Sequence, residues 1–265
     1  MPFATIRDIS VNYEMAGQGP RLLLIPGTNA DLRRKPRLIN GLLSQRFEVL
    51  TYDQRGLGQS GKPERSYTMD DYVEDAVALM DHVGWLDAVV LGVSFGGAVA
   101  MQLALKYPAR VKRLALACSN PGGEFAYPLL ELEDVAPEVR AQTILGLDLR
   151  RTPEWQAANA EKAQSIKNDI MMRGLPVDPN DSAARGGLRR QLEARKGHQV
   201  EGKLKQLSMP TALFGGRYDG LGTVAAQHAM AAEIPNSTVS LFEGGHGFLN
   251  EDPAALQAVA TFLAG

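Results

Sequence analysis

The chain has 265 residues, with 28 Lys and Arg against 30 Asp and Glu, which gives a formal net charge of −2 and an isoelectric point near 6.1. A near-neutral chain has no general attraction to phosphate backbones or anionic lipid surfaces, so we expect neither nucleic acid nor a membrane as a partner. Cys118 is the only cysteine, which excludes an internal disulfide and a cysteine-based metal site, and the four histidines lack chelating spacing, so we expect no metal ion.

The N-terminal part of the chain alternates predicted strands with helices. Its first residues lack the apolar run of a signal peptide, and no membrane-spanning run follows, so we expect a cytoplasmic protein. The pattern predicts an antiparallel edge hairpin, a buried strand, a helix and a second buried strand. In chain order these elements are Ala4–Ile6 paired with Val11–Glu14, then Arg21–Ile25, residues 31–43, and Phe47–Tyr52. A turn-rich loop occupies residues 53–61.

The next elements surround a serine between glycines. Thr68 and Asp71 have the spacing of a capping box, which predicts a helix from Thr68 to Val83. A short apolar strand, Val89–Leu91, is followed by a turn at Ser94 and a helix, Phe95–Tyr107. Another buried strand is predicted at Val111–Ala117.

From Asn120 the chain is charged and helical in period, and no buried strand is predicted before residue 207. We interpret residues 120–206 as a helical cap inserted into a core made of residues 1–119 and 207–265. In the second part of that core the pattern predicts a strand, a helix, a last strand and a closing helix: Pro210–Gly215, Val224–Ala232, Thr238–Phe242 and Pro253–Leu263. This alternation predicts an α/β fold with a mostly parallel twisted sheet and helices on both faces.

Ser94 lies where a strand turns sharply into a helix. Such a strained turn leaves no room for side chains near the serine, which explains the glycines at 92 and 96. The turn would expose the hydroxyl above a helix N-terminus, where developing negative charge is favoured. The alternative is a glycine-rich turn with a solvated serine, but the strand and helix around the motif favour a nucleophile.

A serine nucleophile needs a general base, and the base needs an acidic partner. In an open α/β sheet these groups are expected just beyond the carboxyl ends of strands. His246 is the one histidine that follows a predicted strand, and we interpret the others as ordinary surface or capping residues. Asp219 follows a strand in the same way. Asp53 is the alternative acid, but its Asp-Gln-Arg-Gly setting favours a turn held by an Asp–Arg pair.

These motifs together resemble the α/β-hydrolase superfamily, and within it the small cap-bearing esterases, enol-lactonases and aminoacrylate-hydrolase-like members. The resemblance is carried by Leu24-Ile25-Pro26-Gly27, Tyr52-Asp53-Gln54-Arg55-Gly56, Gly92-Val93-Ser94-Phe95-Gly96-Gly97, Gly216-Arg217-Tyr218-Asp219 and Gly245-His246. It implies a triad of Ser94, Asp219 and His246 in that chain order. It also implies an oxyanion hole formed by the amides of Phe95 and Thr28, although many members have His-Gly where this chain has Pro26-Gly27.

The expected activity is hydrolysis of a small carboxylic ester or lactone through an acyl-enzyme on Ser94, without a cofactor. A serine at the elbow argues against epoxide opening and halide displacement, for which relatives use an aspartate. Three alternatives remain: carbon–carbon bond hydrolysis or perhydrolysis on the same triad, and a signal receptor with this fold. The pattern predicts no particular oligomeric state.

Two further groups of residues bear on the substrate. Four basic side chains follow the first strand-to-helix loop: Arg33, Arg34, Lys35 and Arg37. One of them is a candidate contact for a substrate carboxylate, although a solvated helix start is the simpler interpretation. Three large side chains of the cap are candidates for an apolar acyl pocket or for packing within the cap: Trp155, Met171 and Met172.

Overall fold

The structure of the protein is a computed structural model, which describes residues 2–265. Its centre is an eight-stranded sheet with the order β1-β2-β4-β3-β5-β6-β7-β8. The strands are β1 (Phe3–Ile6), β2 (Ile9–Ala16), β3 (Arg21–Ile25), β4 (Glu48–Tyr52), β5 (Ala88–Val93), β6 (Val111–Ala117), β7 (Thr211–Gly216) and β8 (Thr238–Phe242). The β1–β2 and β2–β4 pairs are antiparallel, and the other pairs are parallel. The predicted fold class and edge hairpin are therefore confirmed.

Ten α-helical segments connect and cover these strands. They are α1 (Ser44–Arg46), α2 (Met69–His82), α3 (Phe95–Lys106), α4 (Pro137–Gly146), α5 (Pro153–Ala158), α6 (Ala160–Gly174), α7 (Ala184–Lys196), α8 (Val224–Glu233), α9 (Phe248–Glu251) and α10 (Pro253–Ala264). Short 3-10 turns lie at Pro108–Arg110, Gly123–Phe125, Leu129–Glu133 and Leu204–Gln206. Among residues 2–265, none of the helices combines the length and the apolar character that crossing a bilayer requires.

The sheet separates two apolar layers because successive side chains of a strand point to opposite faces. In β3, Leu23 and Ile25 join a core that also contains residues of α2 and α3. Leu22 and Leu24 face the other way and join a core with residues of α10. A strand buried on both faces reads as a continuous apolar run, which is why β3 was visible in the sequence.

The start of α2 is fixed by the predicted capping box. The Thr68 hydroxyl accepts a hydrogen bond from the Asp71 amide at 3.1 Å, and the Asp71 carboxylate accepts one from the Thr68 amide at 3.0 Å. Two helix-terminal donors are thereby satisfied at once. The helix ends at His82, close to the predicted end at Val83.

The helix predicted over residues 31–43 is wrong. The segment forms turns, followed by one wide helical turn at Ile39–Leu43. Pro36 has no amide hydrogen to donate to a helix. Asn40 is extended and Gly41 has a φ of 92°, so even the wide turn is interrupted. The apolar spacing in this segment reflects the burial of Ile39 and Leu43 under the sheet rather than a continuous helix.

Residues 120–206 lie between β6 and β7 in the chain and contain α4 to α7, with no strand of the sheet among them. The segment takes part in two isolated antiparallel β-bridges, which pair Gly122 with Gln199 and Asp148 with Asp219. The helical character was predicted correctly, whereas the interpretation of these residues as a cap remains a prediction. The segment contacts the loop that follows β7, where the Leu147 carbonyl accepts the Gly220 amide at 2.8 Å.

Candidate active site

Ser94 occupies the sharp turn between β5 and α3. Its φ is 53° and its ψ is −116°, a backbone conformation that side-chain-bearing residues rarely adopt. The Ser94 amide donates to the Ala117 carbonyl at 2.8 Å, which ties the turn to the end of β6. A β-carbon on Gly92 would come within 2.6 Å of the Gly96 carbonyl oxygen, and one on Gly96 within 2.0 Å of the Ile25 carbonyl oxygen. The flanking glycines are therefore required by close backbone packing.

Ser94, His246 and Asp219 form a continuous hydrogen-bonded chain. The His246 Nε2 atom lies 2.9 Å from Ser94 Oγ, and His246 Nδ1 lies 3.0 and 2.9 Å from the two oxygens of Asp219. With a carboxylate at Nδ1, this nitrogen carries the proton, which leaves Nε2 free to accept the serine proton. The structure thus brings the three predicted side chains together in the order that proton transfer requires.

Asp219 is held by its own loop as well as by the histidine. The side chain is buried, and its Oδ1 accepts the amides of Leu221 at 2.8 Å and Gly222 at 3.0 Å. The fully buried Gln227 of α8 donates to the Gly222 carbonyl at 3.2 Å and to the Ser119 carbonyl at 2.7 Å. These contacts join the loop after β7 to the end of β6 and fix the position of the acid.

The two predicted oxyanion-hole residues flank Ser94. Phe95 is the first residue of α3, so its amide is one of the helix-terminal donors without a partner inside the helix. Across the cleft, Thr28 follows Gly27, where an added β-carbon would lie 3.9 Å from Ser94 Oγ. The Thr28 loop therefore lies beside the Ser94 hydroxyl, and the role of the Thr28 amide stays a prediction.

Asn29 fixes the loop that contains Thr28. It has a φ of 56°, its amide donates to Oε1 of the buried Gln191 at 3.1 Å, and its side chain donates to the Arg173 carbonyl at 3.0 Å. Both partners belong to the 120–206 segment. The loop beside Ser94 is thus positioned by helices that are distant from it in sequence.

A cavity of about 450 Å³ opens onto Ser94 and His246. Its apolar lining comes largely from the 120–206 segment: Leu129, Leu132, Ile144, Ile170, Leu188 and Leu192. Trp155, Met171 and Met172 are not among its lining residues, and Met172 is 65% exposed, so of the two roles considered for them the acyl pocket is wrong. Consecutive residues of a helix point about 100° apart, so Ile170 lines the cavity while the two methionines that follow it do not.

The Asp53 carboxylate holds neighbouring loops together rather than joining the Ser94 site. It accepts hydrogen bonds from the Asn12 side chain at 2.7 Å and from the amides of Leu32 at 2.7 Å and Gln59 at 2.9 Å. Burial raises the pKa of this carboxyl. The predicted pair between Asp53 and Arg55 is absent from the ion pairs of residues 2–265; the carboxylate partners of Arg55 are instead Asp8, Asp71 and Asp75.

The other three histidines form no hydrogen bond with Ser94 within residues 2–265, although His198 lines a small cavity beside it. His82 and His228 are exposed, as expected for surface residues. His198 is buried, which corrects the sequence-based interpretation: its Nδ1 accepts from the Gln102 amide group at 3.0 Å, and its Nε2 donates to the Asn120 carbonyl at 3.1 Å. Burial lowers the pKa of His198 to about 4, so the ring is neutral at pH 7.

Cys118 lies beside the Ser94 site, at the end of β6. Its sulfur and ligand atoms of Asp219 and His246 lie within 4.8 Å of one another, which makes them the one cluster of potential metal ligands in residues 2–265. His246 Nδ1 and Asp219 are already hydrogen-bonded to each other, and burial raises the pKa of the Cys118 thiol, which disfavours the thiolate that binds metals. We therefore assign the cluster to the serine site rather than to a metal.

Several residues that shape the site have no sequence motif. Gln191 and Gln227 lie in helices whose composition gives no reason to single them out, and their roles depend on contacts across the fold. Cys118 and Ser119 directly follow a predicted strand, so the strand-end criterion that selected Asp219 would have included them.

Comparison with known proteins agrees with this architecture. The family model described as "alpha/beta hydrolase fold" matches residues 20–253, and the chain belongs to that family. It is 27% identical to 3-oxoadipate enol-lactonase 2 of Acinetobacter baylyi over 256 residues, covering 95% of this chain and 91% of that protein.

Two solved structures resemble the chain over its full length. A hydrolase from Pseudomonas aeruginosa PA01 has a TM-score of 0.81 at 27% identity, covering 100% of this chain and 98% of the other. The enol-lactonase from Burkholderia xenovorans LB400 has a TM-score of 0.79 at 21% identity and covers 100% of both chains, a similarity that shows the fold alone. The superfamily resemblance drawn from the sequence motifs is therefore confirmed.

Proposed function

We propose that this protein is a serine hydrolase that cleaves a small carboxylic ester or lactone through an acyl-enzyme on Ser94. The observation that carries the proposal is the unbroken hydrogen-bonded chain from Ser94 through His246 to Asp219, at the mouth of a mainly apolar cavity. The likeness to an enol-lactonase over most of the chain supports an ester or lactone as the substrate class.

In the first step His246 Nε2 removes the proton of the Ser94 hydroxyl as Oγ attacks the acyl carbon. Asp219 keeps the Nδ1 proton in place and stabilises the imidazolium that forms. The amides of Phe95 and Thr28 donate to the oxyanion of the tetrahedral intermediate, and such a donor contributes roughly 10²- to 10³-fold to the rate.

The imidazolium then donates its Nε2 proton to the departing alkoxide, and the acyl–oxygen bond breaks. With a lactone, the released alcohol remains attached to the acyl group. Water next attacks the acyl-enzyme, with His246 again removing the proton, and the free acid leaves Ser94 unchanged. These steps require no cofactor.

In this proposal residues 120–206 act as a cap over a core of residues 1–119 and 207–265. The proposal is supported by Ile144 of α4, Ile170 of α6 and Leu188 of α7, which line the cavity above Ser94. Such a cap would hold the substrate in an apolar environment, where hydrogen bonds to the developing charge are stronger. The cytoplasmic location expected from the sequence stays a prediction.

The test is Ser94→Ala, assayed with p-nitrophenyl butyrate. Loss of the nucleophile is expected to lower kcat by roughly 10⁴-fold or more, while circular dichroism and the unfolding transition stay close to those of the wild type. Ser208→Ala is the matched control, because this serine is exposed and does not line the cavity at Ser94. Turnover by Ser94→Ala within tenfold of the wild type would remove Ser94 from the mechanism.

A further inference from the structure

A second cavity adjoins the one that contains Ser94. Its volume is about 340 Å³, and it lies against the other side of the loop at residues 27–29. The two cavities share Gly27, Thr28, Asn29, Val93 and Arg173 as lining residues. A substrate with its reactive carbonyl at Ser94 can therefore extend past the candidate oxyanion loop into this side chamber.

The side chamber is lined by three arginines, and one of them is neutralised. Arg37 pairs with Glu14 at 2.5 Å. Arg33, outside the lining, pairs with Asp31 at 2.6 Å and occupies both of its carboxylate oxygens. Asp31, the acid in the lining of the chamber, is therefore already paired with a cation outside it.

Arg34 and Arg173, the two other arginines of the chamber, have no carboxylate within ion-pair distance among residues 2–265. The half-buried Arg34 donates to the Leu175 carbonyl, but its Nε is buried and without a hydrogen-bond partner in the described chain. Burial lowers the pKa of Arg34, the charge of Asp31 opposes this shift, and the neighbouring positive charge of Arg173 adds to it. Two guanidinium groups close together without a counterion attract an anion.

We propose that Arg34 and Arg173 bind a carboxylate of the substrate, so that the enzyme prefers an ester or lactone that carries an acid group away from the scissile bond. This inference rests on the proposed hydrolase function. Planar guanidinium groups match a carboxylate in geometry, and the chamber places that group beyond the Thr28 loop from the reacting carbonyl. The contact selects the substrate and takes no part in bond breaking.

The experiment compares two p-nitrophenyl esters that share the same glutaryl chain: mono-p-nitrophenyl glutarate, which is anionic, and its methyl ester, which is neutral. Wild type, Arg34→Gln, Arg173→Gln and Lys35→Gln are assayed for kcat/KM with both. Lys35 is the matched control because it belongs to the same basic run, is exposed and lines neither cavity. The readout is the ratio of kcat/KM for the anionic ester to that for the neutral one.

The wild type is expected to favour the anionic ester. Arg173→Gln is expected to lower the ratio about 10- to 100-fold, the range for a charge-assisted hydrogen bond, and Arg34→Gln to lower it in the same direction. Lys35→Gln should keep the wild-type ratio. As a readout independent of turnover, the Kd of glutarate for Ser94→Ala should rise by a similar factor when Arg173→Gln is added.

Two negative outcomes differ in what they overturn. If the wild type hydrolyses both esters and the arginine variants keep its ratio, as Lys35→Gln does, the carboxylate site is wrong while the hydrolase function stands. If the wild type hydrolyses neither these esters nor p-nitrophenyl butyrate, the proposed function itself fails. Glutarate binding to Ser94→Ala that is insensitive to Arg173→Gln would likewise overturn the assignment of this site.

Discussion

At the scale of single residues, the geometry around Ser94 depends on the absence of side chains at Gly92 and Gly96. The serine adopts a φ of 53° because the chain turns directly from β5 into α3. That turn can form only if backbone atoms approach each other without intervening side chains. Gly92 and Gly96 were predictable for this reason, since a glycine-bracketed serine between an apolar strand and a helix is typical of such a turn.

Gly96→Ala is expected to destabilise the protein by about 3 kcal/mol, at the upper end for overpacking, because the new methyl group would lie 2.0 Å from the Ile25 carbonyl oxygen. The free energy of unfolding in urea provides the measurement. Gly146→Ala is the control: no atom lies within 4 Å of its added β-carbon, and it ends helix α4. It should leave stability unchanged or raise it by about 0.5 kcal/mol. Equal stability of the two variants would contradict the packing argument.

The residues that the sequence could not assign are those whose roles depend on distant contacts. His198 reads as an ordinary polar residue at a helix end, yet it is 4% exposed. Its burial depends on Gln102 of α3 and the Asn120 carbonyl, and neither contact has a local pattern. The same applies to Arg55, whose partners Asp8 and Asp75 lie far from it in the chain.

At the scale of secondary-structure elements, the order of the strands brings the site together. The sheet places β3, β5, β6, β7 and β8 side by side and parallel, so the loops that follow them meet at one edge. Ser94, Asp219 and His246 could therefore be located from the sequence alone, because each of them follows a predicted strand. Helices were predictable where a capping residue and an apolar period agreed, as in α2. Residues 31–43 had both the period and a candidate capping residue, Asp31, but Pro36 and Gly41 prevented a continuous helix.

His198 connects α3 to the 120–206 segment, and this contact makes stability depend on pH. Its folded pKa is about 4, whereas an unfolded histidine titrates near 6.5. Between about pH 4 and pH 6.5 this histidine is protonated only in the unfolded chain. The contribution of the neutral, buried His198 to the free energy of unfolding is therefore complete above about pH 6.5 and is lost as the pH falls toward 4. From pH 7 to pH 5 the loss is about 2 kcal/mol, since one unit of pH corresponds to about 1.4 kcal/mol.

The measurement is the free energy of unfolding at pH 7 and pH 5 for the wild type, His198→Gln and His228→Gln. The difference between the two pH values should be about 2 kcal/mol smaller in His198→Gln than in the wild type. The exposed His228 serves as the control, and its replacement should leave the difference unchanged. A wild-type pH dependence retained in His198→Gln would show that another group is responsible.

At the scale of the whole molecule, the 120–206 segment meets the core around the serine site. Gln191 of α7 accepts the Asn29 amide, and the Leu147 and Tyr218 carbonyls accept bonds that join the segment to the loop of Asp219. The sequence indicated the helical character of this segment from its composition. The side chains that line the cavity could not be selected, because which face of a helix points inward depends on how it docks.

Gly187→Ala tests whether docking of α7 sustains the site. An added β-carbon would lie 1.9 Å from the Gly56 carbonyl oxygen, so α7 must move away from the core, together with Gln191 and the cavity residue Leu188. We expect faster proteolysis within residues 120–206 and a fall in kcat/KM of about tenfold or more.

The neighbouring Gly186→Ala is the control for this prediction. Its β-carbon would meet only the flexible end of Arg190, at 3.1 Å, so cleavage and kcat/KM should stay close to those of the wild type. If the two variants show the same cleavage pattern and the same kcat/KM, the contact between α7 and the loop at Gly56 has no part in organising the site.

The central claim is that Ser94 is an activated nucleophile, and covalent labelling with a fluorophosphonate tests it most directly. Peptide mapping after the reaction should place the adduct on Ser94, whose Oγ lies 2.9 Å from the His246 Nε2 that we propose as its base. Labelling should be lost in Ser94→Ala and strongly slowed in His246→Gln, while Ser208→Ala, at an exposed serine, labels at the wild-type rate. An adduct on another residue, or folded wild-type protein that does not react, would contradict the account.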